Sequence, residues 1–168
     1  MDYKEFKGTE FYKKTHVPED FRYILYDADN PTLQPITRGN GADSSIDVEQ
    51  FPVKEWGITF RREITEGGKT VTGTLSSFDI PEVRDLLPST QDGPKRFIIE
   101  KVVADHVESR NAQGDLVPCD GVVVAVYTNV KISNIRDGQR ESGINTLSLN
   151  WQSSKYYTGE QYAEKAGL

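Results

Sequence analysis

The chain has 168 residues, of which 36% are hydrophobic and 27% are charged, and its net charge is −6. This length predicts one domain, and no apolar run of about 20 residues predicts a transmembrane helix. The acidity argues against nucleic-acid binding through a basic surface, which needs clustered Lys and Arg. Cys119 is the single cysteine, so the sequence predicts no internal disulfide and fits a reducing compartment.

The first fifty residues predict an arm, a strand and a loop. Residues 1–20 are charged and aromatic and contain a proline, which predicts an N-terminal arm before a β domain at 21–157. The segment FRYILYDADNP at 21–31 predicts a short strand that ends at Asn30-Pro31. Residues 32–52 contain several glycines and prolines, and they predict a long irregular loop.

A β-hairpin is predicted over residues 56–78. A two-residue turn at Gly67-Gly68 would place Ile64 opposite Val71 and Phe60 opposite Leu75. Apolar pairs of this kind stabilise neighbouring strands, and Gly-Gly suits a tight turn.

The middle of the chain predicts a short helix followed by a strand. In the helix, at 79–88, Asp79 and Glu82 have the spacing of a capping box and Pro88 ends the element. The β-branched content of 95–108 favours a strand that includes His106 in a half-buried position. Residues 109–120 predict turns.

A long strand is predicted at 122–135, inside the segment DGVVVAVYTNVKISNIRDG. It would span about 45 Å, whereas a domain of this length has a radius of gyration of only about 15 Å. The return strand is predicted at 144–157. A turn at Asp137-Gly138 would pair Val124 with Trp151, although poorer matches near the turn leave a bulge or a longer loop open. Residues 158–168 predict a tail, either a last helical turn capped by Thr158 and Gln161 or a frayed end.

Catalytic and metal-binding patterns are missing from the sequence. The chain has two histidines and one cysteine, too few for a structural zinc site without carboxylates. The DADN segment that begins at Asp27 lacks the later glycine and carboxylate of a calcium loop, so Asp27 and Asp29 are interpreted as turn formers. Asp105-His106 lacks a nucleophile elbow, and Cys119 lacks a base partner. The sequence therefore predicts no enzyme, no metal and no cofactor.

The segment RESGINTLSLNWQSSKYYTG at 140–159 carries a family resemblance. Its alternating Leu-x-Leu-x-aromatic pattern after a polar hairpin tip resembles the closing strand of phage tail tube and type VI secretion tube proteins. The order of the predicted hairpin, short helix and long strands also resembles that family. The resemblance implies a mainly β fold, a β-sandwich or barrel with long hairpins and one short flanking helix.

The resemblance also implies a structural role without catalytic residues. Six copies would close into a ring whose long strands join into one barrel, the rings would stack, and an extended loop would reach the neighbouring ring. A strand too long for its own domain would then be paired by its neighbours.

The resemblance implies three sets of site residues. The candidate inter-subunit strand residues are Val122, Val124, Val126, Ile132, Leu147, Leu149 and Trp151. The candidate ring-stacking residues lie in the predicted loop and are Arg38, Asp43, Asp47 and Glu49. The candidate lumen-facing residues are Glu63, Asn129, Ser148 and Asn150, and we expect the lumen to be negative or neutral and polar, with Lys131 as the exception.

The partners implied are further copies of the chain, together with tail sheath, baseplate and tail terminator proteins. DNA would pass through without specific binding, no membrane would be involved, and the protein would lie in the tail of the virion after assembly in the host cytoplasm. An initiator or terminator relative of the tube protein fits the same residues. A monomeric or trimeric binding module, such as a baseplate or capsid decoration protein, is the main alternative, and a small β-class enzyme is the third.

Overall fold

The computed structural model describes residues 1–29, 35–53, 63–78, 80–84, 86, 95–139 and 145–165, and most of them lie in strands. The strands are β1 (Phe21–Asp27), β2 (Thr37–Val53), β3 (Glu63–Phe78), β4 (Phe97–Val103), β5 (Glu108–Arg110), β6 (Leu116–Pro118), β7 (Val123–Gln139) and β8 (Asn145–Thr158). The helices are α1 (Tyr3–Lys7), α2 (Glu10–Lys13), α3 (Pro81–Arg84) and α4 (Gly159–Lys165), with one 3₁₀ turn at Pro18–Asp20.

Six strands close into an antiparallel barrel in the order β1-β2-β3-β8-β7-β4. The barrel closes through a short seam of three pairs between β1 and β2, from Tyr23 with Gly39 to Leu25 with Thr37. β5 and β6 form a separate small hairpin. The mainly β barrel with long hairpins that the sequence predicts is confirmed, although the described residues include four short helices rather than one.

The barrel interior is filled by every second residue of its strands, as expected for a sheet with one buried face. Its most buried large side chains include Leu25, Leu75, Phe97, Leu149 and Trp151, each with 2% or less of its surface exposed. Val83 and Leu86 of the α3 region also belong to this cluster. α3 therefore contributes its apolar side to the core, as its sequence predicts.

The N-terminal segment packs against a second apolar cluster. Phe6 and Phe11 are almost fully buried, and they belong to one apolar cluster with Phe21, Val107 and Val122. The backbone N–H of Phe11 donates to Ser109 Oγ (2.7 Å), which ties α2 to the β5–β6 hairpin. The boundaries predicted at 20 and 157 remain predictions.

The loop predicted at 32–52 is wrong, because residues 37–53 form β2. Glycine has a packing role in this strand: a Cβ at Gly39 would overlap the Ser76 carbonyl oxygen of β3. Close approach of two backbones is a known reason for glycine within a strand.

The turn predicted at Gly67-Gly68 is also wrong. Both glycines lie within the continuous strand β3, which pairs Val71 with Ile46 of β2 and with Ser153 of β8. The predicted pair of Ile64 with Val71 does not form, since Ile64 pairs with Pro52. Phe60 lies outside the described residues.

The long strand and its return strand are confirmed as β7 and β8, but the predicted register is wrong. Trp151 pairs with Ile132 rather than Val124, and β7 continues through Asp137-Gly138 to Gln139. The connection lies further along the chain because Asp137 and Gly138 have strand partners of their own. The bulge left open by the sequence is present, between Ile132 and Asn134.

The predictions for the shorter elements are confirmed in part. The capping box at the start of α4 is confirmed, because Thr158 and Gln161 exchange backbone-to-side-chain hydrogen bonds of 3.1 and 3.3 Å. The strand at 95–108 is confirmed as β4, but His106 is exposed in the turn after it rather than half-buried in a strand. Asp79 and Pro88 lie outside the described residues. Within the described ranges, no helix has both the length and the apolar character to cross a bilayer.

Candidate assembly surface

Four long strands form one wall of the barrel in the order β2-β3-β8-β7. β3 and β8 pair from Val71 with Ser153 to Phe78 with Thr146 and form the centre of this wall. β2 and β7 flank them as the outer strands of the wall.

Both flanking strands have long backbone edges that are not paired within the described residues. β2 pairs with β1 only over Thr37–Gly39, so its course up to Val53 is paired on the β3 side alone. β7 pairs with β4 only as far as Val130, so its course from Lys131 to Gln139 is paired on the β8 side alone. Each edge exposes backbone donors and acceptors that another strand can pair with.

The outward face of this wall is polar. On the β3–β8 pair it carries short hydroxyl and amide side chains: Thr72, Thr74, Ser76, Ser148, Asn150 and Gln152. On β7 it continues through Lys131, Ser133 and Arg136, which are all exposed. Ser133 Oγ also donates to the Asn150 carbonyl oxygen (3.2 Å). Uncharged groups dominate the side chains described on this face.

The candidate inter-subunit residues are mostly buried inside the single chain. Leu147, Leu149, Trp151 and Ile132 lie in the barrel core, and Val122 lies in the second cluster. Val126 is buried and Val124 is half-buried. These side chains are occupied within one copy, so any contribution of their strands to an interface would come from the backbone edge.

The candidate ring-stacking residues lie in strand β2 rather than in a loop. Arg38 pairs with Ile24 of β1, and Asp47 pairs with Thr70 of β3. The side chains of Asp43, Asp47 and Glu49 lie outside the described part of the structure. Their role in stacking remains a prediction.

The candidate lumen-facing residues lie on the long strands of the wall. Ser148 and Asn150 are half-buried on its outward face. Asn129 is exposed, has a left-handed backbone (φ 54°) and donates through Nδ2 to Ser154 Oγ (2.6 Å). Glu63 begins β3 and pairs with Val53, and its side chain lies outside the described part.

A second polar group lies on the opposite side of the barrel. Glu100 of β4 accepts hydrogen bonds from Tyr26 of β1 and Tyr162 of α4. Burial raises the pKa of this carboxyl, which the two hydrogen bonds only partly offset. The pKa of each tyrosine is also raised, first by burial and then by the nearby Glu100 charge. The three side chains connect α4 to the barrel.

The titratable groups singled out in the sequence have structural roles. Asp27 accepts from the Asp29 backbone N–H (3.0 Å) and pairs with Lys95 (3.2 Å), and the first of these contacts lowers the pKa of its carboxyl most. Asp27 is therefore a turn former, as predicted. Cys119 is buried, which raises the pKa of its thiol. In the described ranges, no group of three or more His, Cys, Asp or Glu is arranged to hold a metal ion.

Sequence reasoning missed Glu100 and its neighbour Lys101. Both lie in the strand FIIEKVV, where consecutive residues face opposite sides of the sheet. Two adjacent charged residues in an otherwise apolar strand could have indicated such a site, because one of the two has to face the interior.

No protein-family model and no curated protein matches the chain. The chain is similar to the SPP1 tail tube, with a TM-score of 0.51 and 12% identity over 92% of this chain and 86% of that one. It is also similar to a chain of the anti-feeding prophage (AFP) baseplate, with a TM-score of 0.48 and 12% identity over 86% and 95% of the two chains. An Hcp protein matches with a TM-score of 0.39 and 12% identity over 81% and 89%.

The SPP1 tail tube is the match on which the fold assignment depends. The chain has the tail tube fold, which confirms the fold that the sequence resemblance implies. At 12% identity this likeness concerns the arrangement of the strands and leaves the role of individual residues to be argued from this chain.

Proposed function

We propose that this chain is a structural tail protein that assembles with copies of itself into rings, and that these rings stack into a tube. The observation that carries the proposal is the pair of unpaired edges, β2 beyond Gly39 and β7 from Lys131 to Gln139. They lie on opposite sides of one four-stranded wall. The tail tube fold supports the same role.

Edge-to-edge pairing explains how the ring forms. The β7 edge of one copy pairs with the β2 edge of the next, so each copy contributes four strands to a continuous cylindrical sheet. Closure removes every exposed edge, which is the general advantage of a barrel over an open sheet. We propose that six copies close the ring.

The polar face of the wall suits the lumen of such a tube. Side chains at the centre of the wall, such as Thr72, Thr74 and Asn150, carry no charge, so they do not hold the phosphates of passing DNA as Lys and Arg rings would. The cations described on this face, Lys131 and Arg136, lie on the flanking strand β7. DNA would then be a passing cargo rather than a bound ligand.

The proposed setting is the tail of a virion, assembled in the host cytoplasm. A tube of stacked rings has two ends and an outer surface, so its further partners are a baseplate, a terminator and, in a contractile tail, a sheath. The proposed role is structural and involves no catalytic step.

Ser133 provides the test of the edge-pairing proposal. It lies at the β7 bulge, where β7 has no registered partner on β8, so a substitution there disturbs pairing within the chain least. Ser133→Pro removes a backbone donor and adds a ring to the edge, whereas Ser133→Ala keeps the backbone donor. We expect light scattering to show rings for wild type and Ser133→Ala, and smaller species for Ser133→Pro.

Thermal melts of both variants provide the control for folding. Rings that persist in a folded Ser133→Pro variant would show that β7 is not the contact edge. Discrete monomers or trimers of the wild type at high concentration would favour the binding-module alternative.

A further inference from the structure

Lys101 occupies an inward-facing position of β4, which is unusual for a charged side chain. It pairs with Tyr23 of β1 and with Ala125 of β7, and both of these belong to the barrel core. Its ammonium lies 4.4 Å from the centroid of the Phe21 ring and 5.8 Å from that of Tyr23. Lys101 is half-buried, and even partial burial of an ammonium favours compensation of its charge by a partner.

The described residues supply no carboxylate to this ammonium. Lys101 forms none of the salt bridges found among them, and burial lowers the pKa of its ammonium. Contacts with aromatic faces offset part of the cost of removing a cation from water. The site therefore carries a positive charge that a bound anion would balance.

A pocket of about 210 Å³ opens beside Lys101, between the N-terminal segment and the end of the barrel. Its walls are largely aromatic and include Tyr3, Phe6 and Tyr12 on one side and Tyr127 and Tyr156 on the other. This volume lies below the roughly 300–1,000 Å³ of typical ligand pockets, which suits one small organic acid.

Contacts among the wall residues hold the pocket in shape. The Tyr12 ring lies edge-on to Phe6, with centroids 5.5 Å apart, and the Tyr127 and Tyr156 centroids are 5.4 Å apart. His16 also lines the pocket, and its ring stacks on Phe11 at 4.5 Å while Nε2 forms a hydrogen bond with the Phe11 carbonyl oxygen (2.8 Å). Preformed pockets with apolar walls and one placed charge are typical ligand sites.

We propose that this pocket binds a carboxylate carried on a short apolar or aromatic stem. The carboxylate lies at the Lys101 ammonium and the stem lies against the aromatic walls. The carboxylate comes either from a free organic acid or from an acidic side chain of a neighbouring copy, since the chain has 26 Asp and Glu against 20 Lys and Arg. Only the second source involves the proposed assembly, so binding of a free acid is independent of it.

Benzoate is the probe, and calorimetry on the full chain is the measurement. We expect benzoate to bind the wild type, with affinity at least tenfold lower in Lys101→Met, which keeps the apolar stem and removes the charge. Lys131→Met on the outward face is the matched control and should bind like the wild type. Lys101→Arg restores the charge and should restore binding. Benzamide, the neutral analogue, should bind at least tenfold more weakly than benzoate.

Light scattering with and without excess benzoate distinguishes the two sources. A free acid as the ligand predicts binding with no change in assembly size. An acidic side chain of a neighbouring copy predicts smaller assemblies both with benzoate and in Lys101→Met. Equal benzoate affinity in wild type and Lys101→Met would overturn the proposal, as would the absence of both binding and any effect on assembly. A ring that forms normally alongside either negative result would leave the proposed tube role intact.

Discussion

Gly73 and Trp151 show how a single residue fixes the packing of the barrel wall. The two are cross-strand partners on β3 and β8, and a Cβ at Gly73 would lie 2.6 Å from Cζ2 of the indole. Trp151 is 2% exposed and its ring also packs on Tyr127, with centroids 4.8 Å apart. Because Gly73 has no side chain, it leaves the space that the Trp151 indole occupies.

Gly73→Ala is predicted to destabilise the fold, because neither the backbone nor the buried indole has room to move. Overpacking of a core typically costs about 1–3 kcal/mol, and about 1 kcal/mol lowers the melting temperature of a chain of this size by roughly 2–4 °C. Denaturant unfolding measures the change. Gly8→Ala is the control, since Gly8 has a negative φ (−80°) and a Cβ there would lie 3.3 Å from the Glu5 carbonyl oxygen. Equal denaturant unfolding curves for wild type and Gly73→Ala would contradict the packing described.

At the scale of elements, α4 is attached to the barrel through both polar and capping contacts. Tyr162 of α4 shares the Glu100 carboxylate with Tyr26 of β1, and Thr158 and Gln161 cap the first turn. Lys7 of α1 pairs with Glu160 of α4 (3.2 Å), but both side chains are exposed, so that pair contributes little. Glu100, which is half-buried, is the less exposed part of the attachment.

The raised pKa of Glu100 predicts that stability depends on pH. The folded state binds the Glu100 proton more tightly than the unfolded state does. The protonated carboxyl therefore contributes to the free energy of unfolding at low pH, and this contribution is lost as pH rises through the raised pKa. Glu100→Gln cannot ionise, yet it keeps an oxygen for the Tyr26 and Tyr162 hydroxyls. We expect the variant to gain stability relative to wild type as pH rises from about 4 towards neutrality.

Urea unfolding at several pH values measures this difference. Glu108→Gln in β5 is the control, because Glu108 is exposed. We expect the difference in stability between this variant and the wild type to stay small at every pH. A stability difference between wild type and Glu100→Gln that does not vary with pH would mean that the carboxyl is not desolvated as the structure indicates.

The same elements show what sequence reasoning could and could not predict. β7, β8, α3 and the cap of α4 follow from local patterns, namely β-branched runs, alternation and capping residues. From the sequence alone, the glycines at 39, 67 and 68 predict a loop or a turn, because glycine favours turns. Two of them lie in a strand without a turn, and Gly39 is required by the nearby Ser76 backbone. Such contacts depend on a partner strand that no local window contains.

The candidate assembly surface could also be predicted only in part from the sequence. The alternation in β8 identifies Ser148 and Asn150 as residues of a polar face, and the structure places them on the outward face. The unpaired edges could not be predicted, because they depend on where β1 and β4 stop pairing with β2 and β7. The same β8 pattern identified Leu149 and Trp151 as possible contacts between copies, whereas the closed barrel buries both within one chain.

Across the whole molecule, the four-stranded wall agrees with the proposal that this barrel is one segment of a larger cylinder. The wall β2-β3-β8-β7 has two free edges and a polar face, and the remaining strands and the helices cover the other sides of the core. The overlong strand predicted from the sequence is real, since β7 runs from Val123 to Gln139. Only the first part of β7 is paired on both edges within the described residues.

Electron microscopy of the concentrated protein, alone and with the proposed baseplate and terminator proteins, shows directly whether the copies assemble into such a cylinder. We expect rings of six copies or stacked tubes of constant diameter, with four strands of each copy lining the lumen. A population of single particles the size of one to three copies under both conditions would contradict this expectation.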